Sequence, residues 1–356
     1  MLSRLILENF RCHAQLDLTE LGQRNVLTGA NGRGKTSLLE AVFLISRCRS
    51  FRTHRTRECA GWGRSAFGIA GRLAEQVEGV VRLKYEWTRA GRQLSTDRDI
   101  GIKLKDFWGL LQAVAITNQD RQLVTESGRH RRNWIDSLIA ATDHEYLELS
   151  QKALLLQRQK NALLKREKTD RTLWTVLTEQ MRPVCSQMVE ARDAMTERIA
   201  PEIEAQYRLL THQREHVGFT ANGETLKRLE RDQDELWLAE QKSRNCELGP
   251  HRDDWDLTLA DKPLRHFGSE GQQKSAALAM RLAELKLDAA ANPDRTVVLI
   301  DDALIELDTG RRQRFWQQVP ENVQVMYATT DADRDAEFTN FERAWQVEPG
   351  NVGIKP

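Results

Sequence analysis

The feature that most constrains this chain is the string Gly29-Ala30-Asn31-Gly32-Arg33-Gly34-Lys35-Thr36-Ser37. It follows the short apolar stretch Val26-Leu27. It precedes Leu38, Leu39, Val42, Phe43 and Ile45, which recur at helical spacing. Glycine at 29 and 34, then Lys and Thr, between a strand and a helix, is the P-loop pattern in the context that gives it meaning. Residues without a Cβ let successive N–H groups turn inward on phosphate oxygens, and the start of the helix adds its positive end. Gly29, Ala30, Asn31, Gly32, Arg33, Gly34, Lys35, Thr36 and Ser37 are therefore candidate contacts to the phosphates of a nucleotide such as ATP. Lys35 is placed to reach the β- and γ-phosphates, and the Thr36 hydroxyl to ligate Mg2+.

A P-loop requires an α/β sheet around it. Thr296 to Ile300 is a continuous, mostly β-branched run, as a buried parallel strand demands, and Asp301-Asp302 stands at its carboxyl end. We expect this strand next to the P-loop strand, with Asp301 holding Mg2+ and Asp302 orienting or deprotonating the attacking water. Lys35, Asp301 and Asp302 are thus the catalytic candidates. Val323 to Tyr327 reads as a further strand. Leu5 and Leu7, then Leu16 and Leu18, predict two strands joined by a turn. Phe67 to Trp87 predicts more, with turns at Gly71, Gly79 and Gly91.

Ser269-Glu270-Gly271-Gln272 precedes a helix expected over residues 270–288. Ser269 and Gln272 have the spacing of a capping box. The same turn also brings a hydroxyl, a glycine N–H and a helix dipole to one point. Ser269, Gly271 and Gln272 are therefore candidate contacts to a γ-phosphate.

The 356 residues exceed one small core. Between Tyr146 and Lys168, and again from Leu177 to Met195, apolar residues recur every three or four positions. This predicts an antiparallel helical hairpin turning near Thr169-Asp170, with a kink at Pro183. The expected division is an ATPase head at 1–116 and 246–356, interrupted by a helical arm at 117–245. Trp134, Trp174 and Trp237 read as core. The net charge of +1 excludes a whole-chain nucleic-acid field, so any DNA contact must be local. No apolar run is long enough to cross a bilayer, and the first residues do not read as a signal peptide. The five scattered cysteines form no CxxC pair, which fits free thiols in a reducing cytoplasm.

Further strings extend the pattern. Asn9-Phe10-Arg11, Leu39-Glu40-Ala41, Arg49-Ser50-Phe51-Arg52 and Arg131-Arg132 come first. Gly249-Pro250-His251-Arg252-Asp253-Asp254, the Ser269 turn, and Ile300-Asp301-Asp302 through Glu306-Leu307-Asp308 follow in order. Together with the P-loop they resemble the RecF family of ABC/SMC-like ATPases over nearly the whole chain. That resemblance implies an α/β ABC-type head with an inserted helical arm and slow ATP hydrolysis. It implies a homodimer closed by ATP between Lys35 of one copy and Ser269 of the other. It also implies DNA binding, and work with RecR and RecO in loading RecA at single-stranded gaps; no base-reading motif is visible, so single-stranded or gapped duplex DNA is expected to be bound independently of sequence.

The chain departs from the family pattern in three places. Asn118-Gln119-Asp120 replaces a Pro-Glu-Asp-like string, leaving Gln119 as the candidate group near Mg2+. Ile305 stands where the family has Ser. Thr329-Thr330 follows the Val323 strand without a histidine. Arg47, Arg49, Arg52 and Arg55, and Arg131 with Arg132, are candidate phosphate contacts for DNA, as are the basic residues Arg158 to Arg171 at the arm's tip. Two other readings stay open: an ATP-binding structural adaptor with little turnover, and a small-molecule kinase. The kinase reading leaves the Ser269 turn and the Gly249 string unexplained.

Overall fold

The computed structural model describes residues 1–212, 215–331, 340–348 and 351–354. The chain forms two compact units. The first comprises Met1–Asp120, Leu209–His212 and Leu278–Pro356; the second comprises Arg121–Arg208 and Gln213–Ala277.

The first unit contains two sheets. Strands β1 (Leu2–Phe10), β2 (His13–Leu18), β4 (Ala66–Val77), β5 (Val80–Thr88) and β6 (Gly91–Thr96) form an antiparallel sheet in the order β2-β1-β4-β5-β6. Gly79, at φ +77°, makes the turn between β4 and β5. Gly71 lies inside β4 instead of at the expected turn. A Cβ there would come within 2.9 Å of Leu2 Cδ1, so this glycine serves close packing. The second sheet has the order β14-β13-β3-β12-β11-β7, from β3 (Arg24–Thr28), β7 (Gln112–Thr117), β11 (Thr296–Asp301), β12 (Gln324–Ala328), β13 (Arg343–Glu348) and β14 (Asn351–Ile354). Its strands are parallel except for β14.

The helix Lys35–Arg47 is buried at every residue but Thr36. A helix buried all round must lie between layers. Leu38, Leu39, Val42 and Ile45 share one core with Leu5, Leu7, Ile69 and Leu83 of the antiparallel sheet, and with Ala113, Val297, Leu299 and Met326 of the parallel one. The P-loop thus sits at the end of a helix that cannot move without disturbing both sheets. Arg47, at this helix's last turn, is buried and donates to Asp288 Oδ2 at 2.6 Å and to the Ala113 carbonyl at 3.1 Å.

The second unit is mainly helical: Gly128–Thr142, His144–Leu164, residues 171–208 of the helix Arg171–Thr211, Glu224–Leu229 and Gln233–Ser243. The hairpin forms as its periodicity predicts, with residues 165–170 as its turn. The second helix is longer than expected, 41 residues, and runs on through Pro183 and Pro201. Trp134 and Trp174 are buried, and Trp237 packs edge-on against Trp174. Lys160 is fully buried, so it leaves the basic group expected at the arm's tip. Its partner Glu240 also accepts from Trp174 Nε1 at 2.6 Å and from the N–H groups of Glu247 and Leu248. Buried charges cost several kcal/mol unless such donors satisfy them, which makes this cluster a determinant of how these helices pack.

The return to the head comes later than the expected residue 246. Residues 246–277 stay with the helical unit because β9 (Trp255–Leu259) pairs between β8 (Val217–Ala221) and β10 (Lys262–Pro263), with Phe219 opposite Leu257. The Gly249 to Asp254 string is locked there too. Asp253 accepts from Arg192 Nη1 and from the Thr225 N–H at 2.7 and 2.8 Å, and Asp254 accepts from Arg131 at 2.7 and 3.0 Å. Arg192 also grips Asp136, which accepts from the Tyr146 hydroxyl.

Candidate nucleotide-binding site

The parallel strands end in register. Leu27 pairs with Ala328, Ala328 with Asp301, and Asp301 with Thr117. The P-loop, the aspartates and the residues after Thr117 therefore open on one sheet edge. The P-loop strand is not next to the aspartate strand, however: β12 lies between them. The P-loop reaches back across that gap, and the Thr36 hydroxyl donates to Asp301 Oδ1 at 2.8 Å.

Backbone geometry explains the glycines. Gly29, Gly32 and Gly34 have φ of +141°, +78° and +102°, values that side chains rarely adopt. At Gly29 a Cβ would lie 2.5 Å from the Val347 carbonyl oxygen, and at Gly34 it would meet His13 Nε2 at 2.6 Å and Cys12 Sγ at 2.7 Å. The loop is thus packed from behind by β13 and by the start of β2.

Lys35 is 5% exposed, and its ammonium donates to the carbonyls of Gly29 at 2.5 Å and Ala30 at 3.2 Å. Burial lowers its pKa, against the pull of Asp302 and Asp301. Burial raises Asp301, with the Thr36 hydrogen bond opposing, and raises Asp302, with Lys35 opposing. Asp302 stands at φ +53°, and its Oδ1 is buried without a hydrogen-bond partner. A strained carboxylate with an orphaned oxygen is the arrangement expected where a ligand or its water completes the site. The Thr36–Asp301 oxygen pair beside it suits a hard cation such as Mg2+, which takes one or two protein oxygens and fills its shell with phosphate and water.

Lys35, Thr36 and Asp302 line a cavity of about 560 Å3, within the size range of small-ligand sites. Asn31 to Ser37 and Asp302 form one part of its wall. Arg11, Cys12, Arg52, Glu58, Ala60 and Trp62 form the rest. Of these, only Arg52 was a candidate from sequence. Glu40, fully buried in the P-loop helix, holds this wall together: Arg11, Arg52 and Ser50 all donate to it.

Gln119 lies two residues beyond Thr117, exposed in a short 3-10 turn. Its neighbour Asp120 is buried, accepting from the Thr117 N–H at 2.6 Å and from Arg281 at 2.7 and 2.9 Å. In the other unit, Ser269 and Gln272 form the expected reciprocal cap: the Ser269 N–H donates to Gln272 Oε1 at 2.8 Å, and the Gln272 N–H to Ser269 Oγ at 3.3 Å. Ser269 is exposed at the head of the helix Glu270–Ala291, and Gly271 lies in its first turn.

Two candidate DNA contacts are corrected by burial. Arg47 and Arg131 are 2% and 4% exposed, and ion pairs with Asp288 and Asp254 hold them, so neither is available to a phosphate on the surface. Arg132 is half-buried and donates to the Asp253 carbonyl at 2.6 Å. Arg52 pairs with Glu40 beside the cavity, Arg55 is exposed near Glu58, and Arg49 is half-buried.

The fold and the site define a P-loop protein with a mixed α/β head of the SMC/RecF kind and a helical insertion. Residues 1–350 match the family described as RecF/RecN/SMC N terminal domain. The chain is 30% identical to the DNA replication and repair protein RecF of Lacticaseibacillus casei over 348 residues, 93% of each protein. It is also 30% identical to the RecF of a Cyanothece species over 379 residues, covering 99% of this chain and 97% of that relative. The chain belongs to the RecF family. Among solved structures, one of the recombination mediator protein RecF with ATPrS superposes with a TM-score of 0.88 at 20% identity, covering 100% of this chain and 98% of that one. An Smc head bound to the C-winged helix domain of ScpA superposes at 0.59 and 13% identity, covering 99% and 96%. No helix among the described residues is long and apolar enough to cross a membrane.

Proposed function

We propose that this chain is an ATP-switched DNA-binding protein of recombinational repair. In this reading it dimerises on ATP, binds DNA without reading sequence, and acts with RecO and RecR to help load RecA. One observation carries it: a glycine cradle that lines one cavity with Lys35, Thr36 and Asp302, where Thr36 also bonds Asp301 and Asp302 holds a buried oxygen without a partner. The curated relatives are described as DNA replication and repair proteins, and solved RecF structures as RecF-ATP and RecF-ATPrS of the RecFOR pathway. Both descriptions support the assignment of ligand and process.

The P-loop N–H groups bind the phosphates. Lys35 exchanges its two carbonyl acceptors for phosphate oxygens, which are stronger partners because both sides are charged. Thr36 and Asp301 hold Mg2+, which when bound offsets charge on the β- and γ-phosphates. Asp302 orients the attacking water and accepts its proton. Burial that raises its pKa strengthens it as a base. The exposed Ser269 turn of a second copy caps the γ-phosphate, so hydrolysis removes the group that joins the copies. Gln119 senses the same phosphate from the end of β7.

The test is DNA affinity measured by anisotropy with ATP, with ADP and without nucleotide, for the wild type and Lys35→Ala. We expect at least tenfold tighter DNA binding with ATP in the wild type only, because Lys35→Ala loses about 1.5–3 kcal/mol of charge-assisted hydrogen bonding to the nucleotide. Equal affinity under all three conditions would refute the reading.

A further inference from the structure

Trp62 is fully solvent-exposed, at 102% of its reference area, yet it lines the cavity that holds the phosphate cradle. It has no ring contact or hydrogen-bond partner among the described residues. A large apolar face left in water is informative when its position is fixed. Here it is fixed. The Gly61 N–H donates to the Asn9 carbonyl at 2.7 Å, the Arg64 N–H to the Gly61 carbonyl at 2.9 Å, and the Arg11 N–H to the Cys59 carbonyl at 2.8 Å. Ala60 bridges to Phe10 at the end of β1. A Cβ at Gly61 would lie 3.2 Å from the Arg11 carbonyl oxygen and 3.3 Å from that of Asn9, so glycine lets this turn sit directly on the strand end. Gly63, at φ +72°, carries the chain out of the turn.

The rest of this wall is committed elsewhere. Arg11 and Arg52 are paired with Glu40, Glu58 accepts from the Thr53 hydroxyl, and Ala60 is small. Trp62 alone among these lining residues offers a free planar apolar face. The contacts also step away from the cradle. Cys12 and His13 touch Gly34, and Trp62 stands on a turn held three residues back along the chain, at Asn9. A nucleotide whose phosphates occupy the cradle must place its nucleoside in the remaining part of the cavity.

We propose that Trp62 is the base-stacking residue of the nucleotide site, its indole forming a platform for the purine ring on a turn whose backbone is held beside the cradle. This rests on the reading of the cradle as a nucleoside triphosphate site. Stacking is tolerant of base identity, since every base has a π-face. Trp62 therefore supplies affinity for a nucleoside over bare phosphate, without discriminating between purines.

The experiment measures equilibrium binding of ATP and of inorganic tripolyphosphate to the wild type, Trp62→Ala, Trp62→Phe and Lys35→Ala. We expect Trp62→Ala to bind ATP about tenfold more weakly and tripolyphosphate unchanged, and Trp62→Phe to fall between wild type and Trp62→Ala on ATP. The difference in tryptophan emission between wild type and Trp62→Phe should quench with ATP and not with tripolyphosphate. Lys35→Ala should weaken both ligands, which checks the cradle separately. Wild-type ATP affinity in Trp62→Ala, with Lys35→Ala still impaired, overturns the stacking role and leaves the cradle intact. The same holds if Trp62→Ala loses only DNA binding or self-association. Failure of the wild type to bind either ligand overturns both.

Discussion

Replacing Arg47 separates a structural cation from a DNA contact. Its guanidinium is buried, 2.6 Å from Asp288 Oδ2 and 3.8 Å from Glu284 Oε1, and the side chains of those carboxylates are 3% and 4% exposed. Arg47→Met keeps most of the apolar volume and removes the charge from beside Asp288. Breaking a buried pair by deleting one partner costs about 3–5 kcal/mol, because the other charge remains in a dry site. For a unit of this size each kcal/mol lowers Tm by about 2–4 °C, giving a fall of about 6–20 °C. Scanning calorimetry measures it. A second substitution, Asp288→Leu, should restore much of the loss, since an apolar pair tolerates the site that a lone carboxylate does not. DNA affinity across a salt series, taken below the variant's transition, should keep the wild-type slope. The reasoning is refuted if Arg47→Met unfolds within about 1 °C of the wild type while the salt slope drops by about 1, the signature of a lost phosphate contact.

Two further predictions concern titrating groups. Cys12 is exposed at the cavity wall, and a hydrogen bond with His13 lowers its pKa against the opposing effect of burial, whereas burial pushes Cys48, Cys59 and Cys185 up to about 12 and raises Cys246 as well. Iodoacetamide at neutral pH should therefore modify Cys12 first, and ATP should slow that reaction several-fold; comparable labelling of the buried thiols, read by peptide mass, would contradict this. His251 is held down to about 4, chiefly by burial. A depressed histidine stabilises the fold above its unfolded value near 6.5 and loses that contribution as pH falls through the folded value. Unfolding free energy should drop by up to about 3 kcal/mol between pH 6.5 and 4, less in His251→Gln; an identical pH profile in the variant would count against it.

The local half of the site was legible in the sequence, and the half made by distant partners was not. A P-loop is a backbone device spelled by consecutive residues, so Gly29 to Ser37 and the Ser269 cap could be read directly. The Thr296 to Asp301 strand was legible because a buried parallel strand needs a run of apolar residues. That β12 lies between it and the P-loop strand was not legible, since sheet order depends on which crossovers pack. Arg47 and Arg131 looked like surface cations. Their aspartate partners lie 241 and 123 residues away, and only folding shows that the pairs are buried. Residues 246–277 resemble the head in pattern but join the helical unit through β9 pairing and the Arg192–Asp253 contact. Trp62 did carry a signal, a tryptophan between two glycines. Its meaning came only when Asn9 and Ala60 fixed the turn beside the cradle.

Sedimentation velocity offers the most direct test of the central claim, that a nucleoside triphosphate in this cradle joins two copies through the Ser269 turn. The wild type should sediment as a monomer alone or with ADP and as a dimer with ATP, while Lys35→Ala and Ser269→Arg stay monomeric throughout. Dimers of equal strength in all three proteins, or none in the wild type at saturating ATP, would contradict the account.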